Sequence, residues 1–366
     1  MMSVVALQIF PDTPQLLFLL IAAFAGGAFG AAIGALPAFC FTGFMVIAGE
    51  AANTVGIDAG ASGAALLGSP VTGQIGFGAV FGPHIAFAGG AAAAAYAAKT
   101  EGAMYEPGDG DYHLAKDIAY ALGTRPDVLV VGGLFGVIGA IGTTISAGLT
   151  LPWDDIAIMV VVSAALHRIA FGYPLIGKPR GDGLLDMSPF ERGEMRGAAT
   201  DGGTVMTDGG YGAERLSVEP WLPHQYTWGN VAMIGLVAGL LGGFTALATG
   251  SAFLAFGISA ASLTFLNLGV EKIPVTHHMT LPASTAALAV FADPTGMSQV
   301  IALLVGGVFG VYGALIGEVV QRIFYAHSDT HFDPPAAAIV VATLTVAVLA
   351  IVGVFDSAAW VQTLGL

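Results

Sequence analysis

Apolar runs broken by short polar stretches set the pattern of the chain. They cover Gln15–Leu36, Phe39–Val55, Val128–Leu149, Asn230–Ala248, Ala252–Leu268, Val300–Phe324 and Pro335–Val354. A helix rises about 1.5 Å per residue and a bilayer's hydrocarbon core is about 30 Å thick, so runs near this length can cross it. Ile156–Phe171 is shorter but uncharged until Arg168, and one further short apolar segment in each half ends at Ala98 and at Ala292. The pattern predicts an all-α polytopic membrane protein of about ten transmembrane segments. Five lie in residues 1–172, a polar cytoplasmic linker, ordered to flexible, covers 173–228, and five more lie in 229–366. In the loop Lys99–Asp127, the stretch Asp117–Leu122 reads as a short surface helix.

The two groups of segments repeat one another. Val131-Gly-Gly-Leu-Phe-Gly-Val-Ile-Gly-Ala140 recurs as Val305-Gly-Gly-Val-Phe-Gly-Val-Tyr-Gly-Ala314, matching at eight of ten positions. Such a repeat marks one structural unit used twice. Anchored there, His84-Ile-Ala-Phe-Ala-Gly-Gly faces His278-Met-Thr-Leu-Pro-Ala-Ser, and Asp154 faces Asp333. Gly26, Gly30 and Gly34 in the first segment pair with Gly235, Gly239 and Gly243 in the sixth. Ridges of small residues let helices in lipid approach closely. An odd number of crossings turns the second unit upside down relative to the first, the inverted topology of many secondary transporters. The cations agree. With the N-terminus outside, ten crossings place all eleven lysines and arginines in cytoplasmic loops, as the positive-inside rule requires. Both termini are then expected outside the cell.

The third segments hold the candidate chemistry. His84–Ala98 and His278–Ala292 are fifteen residues each, about 22 Å as helix, too short to cross alone. Pro70, Pro83 and Pro274 lie just upstream and interrupt a continuous helix. Each unit therefore carries a broken, short third helix whose N-terminus lies at membrane depth. Free N–H groups and the positive dipole end there favour an anion. His84, His278 and the adjoining His277 can bind solute or relay protons, because imidazole titrates near neutrality. Thr280 can line the same cavity. Glu318 and Glu50 are intramembrane carboxylates, costly enough to imply solute contact or ion coupling. Asp154 and Asp333 read as N-caps ahead of apolar runs. His327, Asp329, His331 and Asp333 alternate along one loop and suit zinc by ligand type. Only the aspartate has a counterpart in the other unit, which favours a polar turn there.

Composition narrows the classes. Charged residues make up 10% of the chain, 55% is hydrophobic and the mean hydropathy is +0.80, against about 25% charged in soluble domains. The single cysteine, Cys40, lies in an apolar run and excludes a disulfide scaffold or a cysteine-based metal site. A net charge of −14 with few lysines fits a halophilic, archaeal source and argues against nucleic-acid binding. Residues 1–14 contain no lysine or arginine, so a cleaved signal peptide is not expected. The glycine spacings follow no soluble strand, so no dinucleotide site is read from them.

Gly26-Gly-Ala-Phe-Gly-Ala-Ala-Ile-Gly-Ala-Leu-Pro37 resembles the opening of the large membrane subunit of tripartite tricarboxylate transporters, which begins each half with a glycine ridge running into a Pro-Gly motif. The resemblance implies carboxylate transport. The expected function is a secondary transporter (permease) in the cell membrane for a small anionic solute. It is coupled to sodium or protons, with its site at the repeat interface near the midplane. His84, His278, Glu318, Glu50, His277 and Thr280 are its expected binding or coupling residues. A passive channel and a membrane-embedded metal-dependent protein or enzyme built on His327–Asp333 are the alternatives. Lipid and solute are the expected partners, no cofactor or nucleic acid is expected, and a homo-oligomer or an accessory subunit is compatible with the chain.

Overall fold

The computed structural model describes residues 9–58, 70–104, 112–196, 200–201, 204–205 and 215–366. The first eight residues, on which the expectation of an uncleaved start partly rests, lie outside the described residues. The helices are α1 (Thr13–Ile33), α2 (Ala35–Asp58), α3 (Ala88–Ala97), α4 (Pro126–Gly148), α5 (Asp155–Ala170) and the one-turn α6 (Ser188–Glu191). They continue as α7 (Trp228–Thr249), α8 (Leu254–Asn267), α9 (His277–Ala289), α10 (Met297–Val320) and α11 (Pro334–Ile351). A wide π turn, Pro83–Phe87, leads into α3. Two-residue strands at Thr200–Asp201 and Thr204–Val205 pair antiparallel in the linker. Among the described residues, six helices, α1, α2, α4, α7, α10 and α11, are long and apolar enough to cross a membrane. The protein is therefore all-helical in architecture and built for a membrane.

Local chemistry sets the helix ends. Asp12, Asp154 and Asp333 accept the N–H groups at the starts of α1, α5 and α11, and prolines occupy the first turn of α1, α4 and α11, where a missing N–H costs nothing. Gly34, at φ 94°, separates α1 from α2, and Gly250 ends α7 in the left-handed region. A side chain is strained at both positions. Asp117–Leu122 is not helical. The Asp117 carboxylate accepts the N–H groups of Ala119 and Tyr120, each at 3.0 Å, which diverts the backbone into a turn. The helical turn falls just before, at Leu114–Lys116.

The two halves pack alike. Gly27 of α1 sits on the backbone of Gly132 and Gly136 in α4, and Gly239 of α7 sits on Gly306 and Gly310 in α10. Gly30 meets the Ala86 carbonyl as Gly242 meets that of Thr280. The glycine ridge thus aligns Gly30 with Gly242, three residues beyond the Gly239 expected from spacing. Each ridge offers glycines at both three- and four-residue intervals, so spacing alone does not choose the register. Inside the ten-residue repeat, a Cβ at Gly139 would strike the His84 carbonyl, and one at Gly313 would strike that of His278. Different devices steer the two carbonyls. Ala88 donates its N–H to Pro83 and Ile85 instead of His84. Pro282, inside α9, has no N–H to give His278.

The seam between the halves runs along α2 against α8 and α5 against α11. Gly43 of α2 packs on Ala260 and Ala261, and Gly257 of α8 packs on Val46. The Asp154 N–H donates to Thr343 Oγ1 at 3.0 Å, well inside α11.

Hydrogen bonds gather the loops into two sets. Lys99 Nζ donates to the Phe171 carbonyl at 2.7 Å, Arg125 to that of Glu101 at 2.9 Å, Arg180 N to His327 Nδ1 at 3.2 Å, and Arg322 to the Leu185 carbonyl at 2.7 Å. The His331 N–H reaches the Ala115 carbonyl at 3.3 Å, and His224 meets the Ile273 carbonyl at 3.0 Å. In the other set, Leu364 N donates to the Thr150 carbonyl at 3.0 Å, Ala292 N to Asp356 at 2.9 Å, and Ser251 Oγ to Glu50 at 2.6 Å. The described parts of the linker are packed: Val218 is buried and the Glu219 N–H donates to the Ala326 carbonyl at 2.9 Å.

Candidate functional site

A cavity of about 340 Å³ lies on the seam, within the range of about 300–1,000 Å³ usual for small-molecule sites. Both halves supply its wall in matched positions. Pro83 at the π turn and His277 at the start of α9 are equivalent in the repeat, and so are Asp154 and Asp333 at the starts of α5 and α11. All four line the cavity.

The remaining wall is apolar, aliphatic side chains alternating with a linked set of aromatic rings. Ring centroids link Phe87 to Phe39 at 5.9 Å, Phe39 to Phe256 at 5.9 Å, Phe256 to Phe77 at 5.6 Å, Phe77 to Phe253 at 5.3 Å and Phe253 to Trp360 at 5.1 Å. Tilted and edge-on contacts at these separations are the favoured arrangement of ring quadrupoles. The Trp360 indole N–H is satisfied by Thr285 Oγ1 at 2.9 Å.

The polar groups on the wall are few. Asp154 accepts from the N–H groups of Ile156 and Ala157 at 2.8 and 2.9 Å. Asp333 accepts from Ala336 N at 2.8 Å and lies 3.4 Å from His331 Nε2. The Nδ1 atoms of His277 and His331 are buried without a hydrogen-bond partner among the described residues. Phe39 lies 4.7 Å from the His277 ring. Lys116 also reaches the wall, with its Nζ 2.5 Å from Glu219 Oε2 and 4.4 Å from the Tyr325 ring centroid. Burial pushes its amine down to about 8, opposed by the Glu219 carboxylate. His113 lies in the same cluster and is held neutral, its ring pushed down to about 3 by burial and then by the Arg215 charge. Its Nδ1 accordingly accepts the Ala115 N–H at 3.1 Å.

The cavity is closed differently at its two ends. Toward the cation-bearing loops, Glu219 also faces Arg215 at 3.3 Å, and Asp329 joins Arg215 to Arg196, the latter at 3.1 Å. At the opposite end, Phe77, Phe253 and Trp360 separate it from a second cavity that contains Glu50 and Asn53. There Glu50 accepts from Thr72 Oγ1 at 2.8 Å, Ser251 Oγ at 2.6 Å and Asn53 Nδ2 at 3.3 Å. Ser251 belongs to the second half, so this carboxylate ties the halves together.

The chain belongs to a family of unknown function (DUF7973). The family profile matches residues 11–364, so both halves and every cavity residue named above lie inside the match. No curated protein and no solved structure matches the chain.

The residues expected from sequence fall in several places. His277 is on the central wall. His84 lines a separate cavity with Ala140, Thr143 and Thr144, and His278 packs against Gly317 and, at 6.0 Å, the Trp221 ring. The central cavity is lined by neither His84 nor His278, and the cavity beside His84 is not lined by His278. The Thr280 hydroxyl donates to the His277 carbonyl at 3.3 Å within its own helix. Glu318 is held by Arg322 Nε at 2.6 Å and Gln321 at 3.0 Å, an ion pair at the end of α10. Glu50 stands at the aromatic end.

The alternating loop residues diverge. His327 takes Arg180 N, Asp329 takes two arginines, and Asp333 caps α11. No group of three metal-ligating side chains forms among the described residues. Asp154 and Asp333 as cavity walls were missed, although their pairing in the repeat was already legible. Trp221 and Trp360 come from the linker and the C-terminal segment, where no sequence pattern marks them.

Proposed function

We propose that the protein is a secondary transporter of a small organic solute, and that the cavity on the seam is its site. The observation that carries this reading is the wall itself. Two equivalent pairs of residues, one member from each half, converge on one cavity. Secondary transporters bind between repeats in this way, near the midplane, and expose the site by rocking one repeat against the other.

We read the ten helical segments as two inverted units. The odd segment count supports this, as does the gathering of every cation-bearing loop at one end. By the positive-inside rule that end is cytoplasmic and the termini are outside the cell. Helices α3, α5, α8 and α9, of 10, 16, 14 and 13 residues, are short for crossings. Buried against neighbours they are tolerable, because polar backbone at membrane depth must be enclosed by protein. Sodium or protons supply the gradient. The helix starts at α5 and α11 are not bare, since Asp154 and Asp333 accept their first N–H groups. An anion at those two starts would meet a carboxylate; the starts near His84 and His278, where an anion is expected from sequence, carry no side-chain cap.

The test is uptake into proteoliposomes across a panel of cationic, neutral and anionic solutes, with an imposed sodium or proton gradient. Accumulation above equilibrium that requires the gradient is the expected result. Uptake at background for all three classes would overturn the reading, and equilibration without accumulation would replace it with a channel.

A further inference from the structure

We infer that the central cavity takes a small organic cation, an ammonium with a compact hydrocarbon body, held between Asp154, Asp333 and the aromatic wall. The inference rests on the cavity being the solute site and adds the class of solute. It starts from charge. The ion pairs of the described lysines and arginines run to Glu219, Asp127, Glu194, Asp329 and Glu318. None runs to Asp154 or Asp333. Lys116, the one basic side chain on the wall, is answered by Glu219 within the protein. Two carboxylates thus face an apolar cavity with only backbone N–H groups and one weakly placed imidazole against them. The helix N–H groups compensate these carboxylates in part, and a bound cation would supply the ionic partner that no lysine or arginine among the described residues provides.

The rest of the wall fits the same ligand. Phe39, Phe256, Phe77 and Phe253 form a linked set of rings. A cation within about 6 Å of a ring centroid gains from the quadrupole, more so when desolvated, and aromatic cages for quaternary ammonium groups use this. The buried Nδ1 atoms of His277 and His331 have no partner among the described residues, and a neutral imidazole offers one acceptor nitrogen. Each is available to an N–H or O–H of the solute. An anion would meet two carboxylates. A neutral hydrocarbon would leave those carboxylates and ring nitrogens unanswered.

The experiment is equilibrium binding to the purified full-length protein in detergent, by calorimetry, with three probes of one shape. Choline carries the charge, 3,3-dimethyl-1-butanol is its neutral carbon isostere, and pivalate carries the opposite charge. Choline is expected to bind saturably, with the other two at least about tenfold weaker, the discrimination that one desolvated cation–π contact provides. Asp154→Asn and Asp333→Asn keep the helix caps, because asparagine caps as well as aspartate, and remove only the charge. Each is expected to weaken choline by about tenfold or more.

Equal or tighter binding of the isostere or pivalate overturns the inference, and so does choline binding unchanged in both variants or no binding of any probe. Gradient-driven uptake of a neutral or anionic solute would keep the transporter reading while removing the cation class. Choline binding without flux would do the reverse.

Discussion

The two ends of the central cavity are closed by opposite kinds of interaction. At the loop end, Lys116, Glu219, Arg215, Asp329 and Arg196 form a buried network in which each charge is answered by a specific partner. At the other end, Phe77, Phe253 and Trp360 close the space by ring contact, and Glu50 bridges the halves through two hydroxyls. A ring contact is worth about 0.5–1.5 kcal/mol beyond its buried area and loses little if the rings slide. A buried ion that loses its partner is left uncompensated, which costs far more. Parting the charged end would therefore require exchanging partners as a unit, and parting the aromatic end would cost less.

The largest expected effect breaks the charged end. Glu219→Leu strands Lys116 in a buried position and leaves Arg215 with Asp329 alone; it should cost about 3–5 kcal/mol, measured as a lower thermal unfolding temperature of the purified protein. Adding Lys116→Met should recover part of that loss; a double variant no more stable than the single one would refute the pairing. Next come the scaffold contacts shared by both halves. Gly139→Val and Gly313→Val each force a side chain into a histidine carbonyl, and each should cost about 1–3 kcal/mol by overpacking. Clearly unequal losses would break the equivalence of the units. At the aromatic end, Trp360→Ala should cost about 1–2 kcal/mol through its lost ring contact and hydrogen bond. It should also speed labelling of Ala157→Cys, a cavity position, by an impermeant thiol reagent in a Cys40→Ala background. Unchanged labelling would mean that the rings are not the barrier.

A further prediction is a pH dependence of the charged end. His113 takes its proton near 6.5 when unfolded and only near 3 when folded. Between those values the unfolded chain binds the extra proton, so the stability His113 contributes is complete above 6.5 and declines as pH falls toward 3. His113→Gln should flatten that part of the stability–pH curve, measured by thermal unfolding across the range. An identical curve would place the acid sensitivity elsewhere.

Much of the architecture was legible in the chain. The ten-residue repeat, the paired histidines and the paired aspartates all align in space, because glycine spacing and capping are local properties that survive folding. The glycine ridge of α1 was misaligned by three residues, since both three- and four-residue steps keep a glycine on the same helix face. The roles of the polar residues were less legible. Glu318 and Glu50 stand out equally as acids among apolar neighbours, yet one is neutralised by Arg322 a turn away and the other joins the two halves. His84 and His278 are equivalent in sequence but do not line the central cavity, while His277, with only a proline as its counterpart, reaches the shared wall.

Sequence by itself determined that the chain is helical, with apolar segments suited to a membrane and a ten-residue stretch that recurs, because apolar run length and glycine spacing act over a few turns and need no knowledge of neighbours. Only the tertiary structure decided where the cavity lies and which charges face it. That outcome depends on Glu219, 103 residues beyond Lys116 along the chain, answering the lysine. It depends equally on no lysine or arginine among the described residues pairing with Asp154 or Asp333. Such pairings are set by long-range packing, which no local pattern encodes.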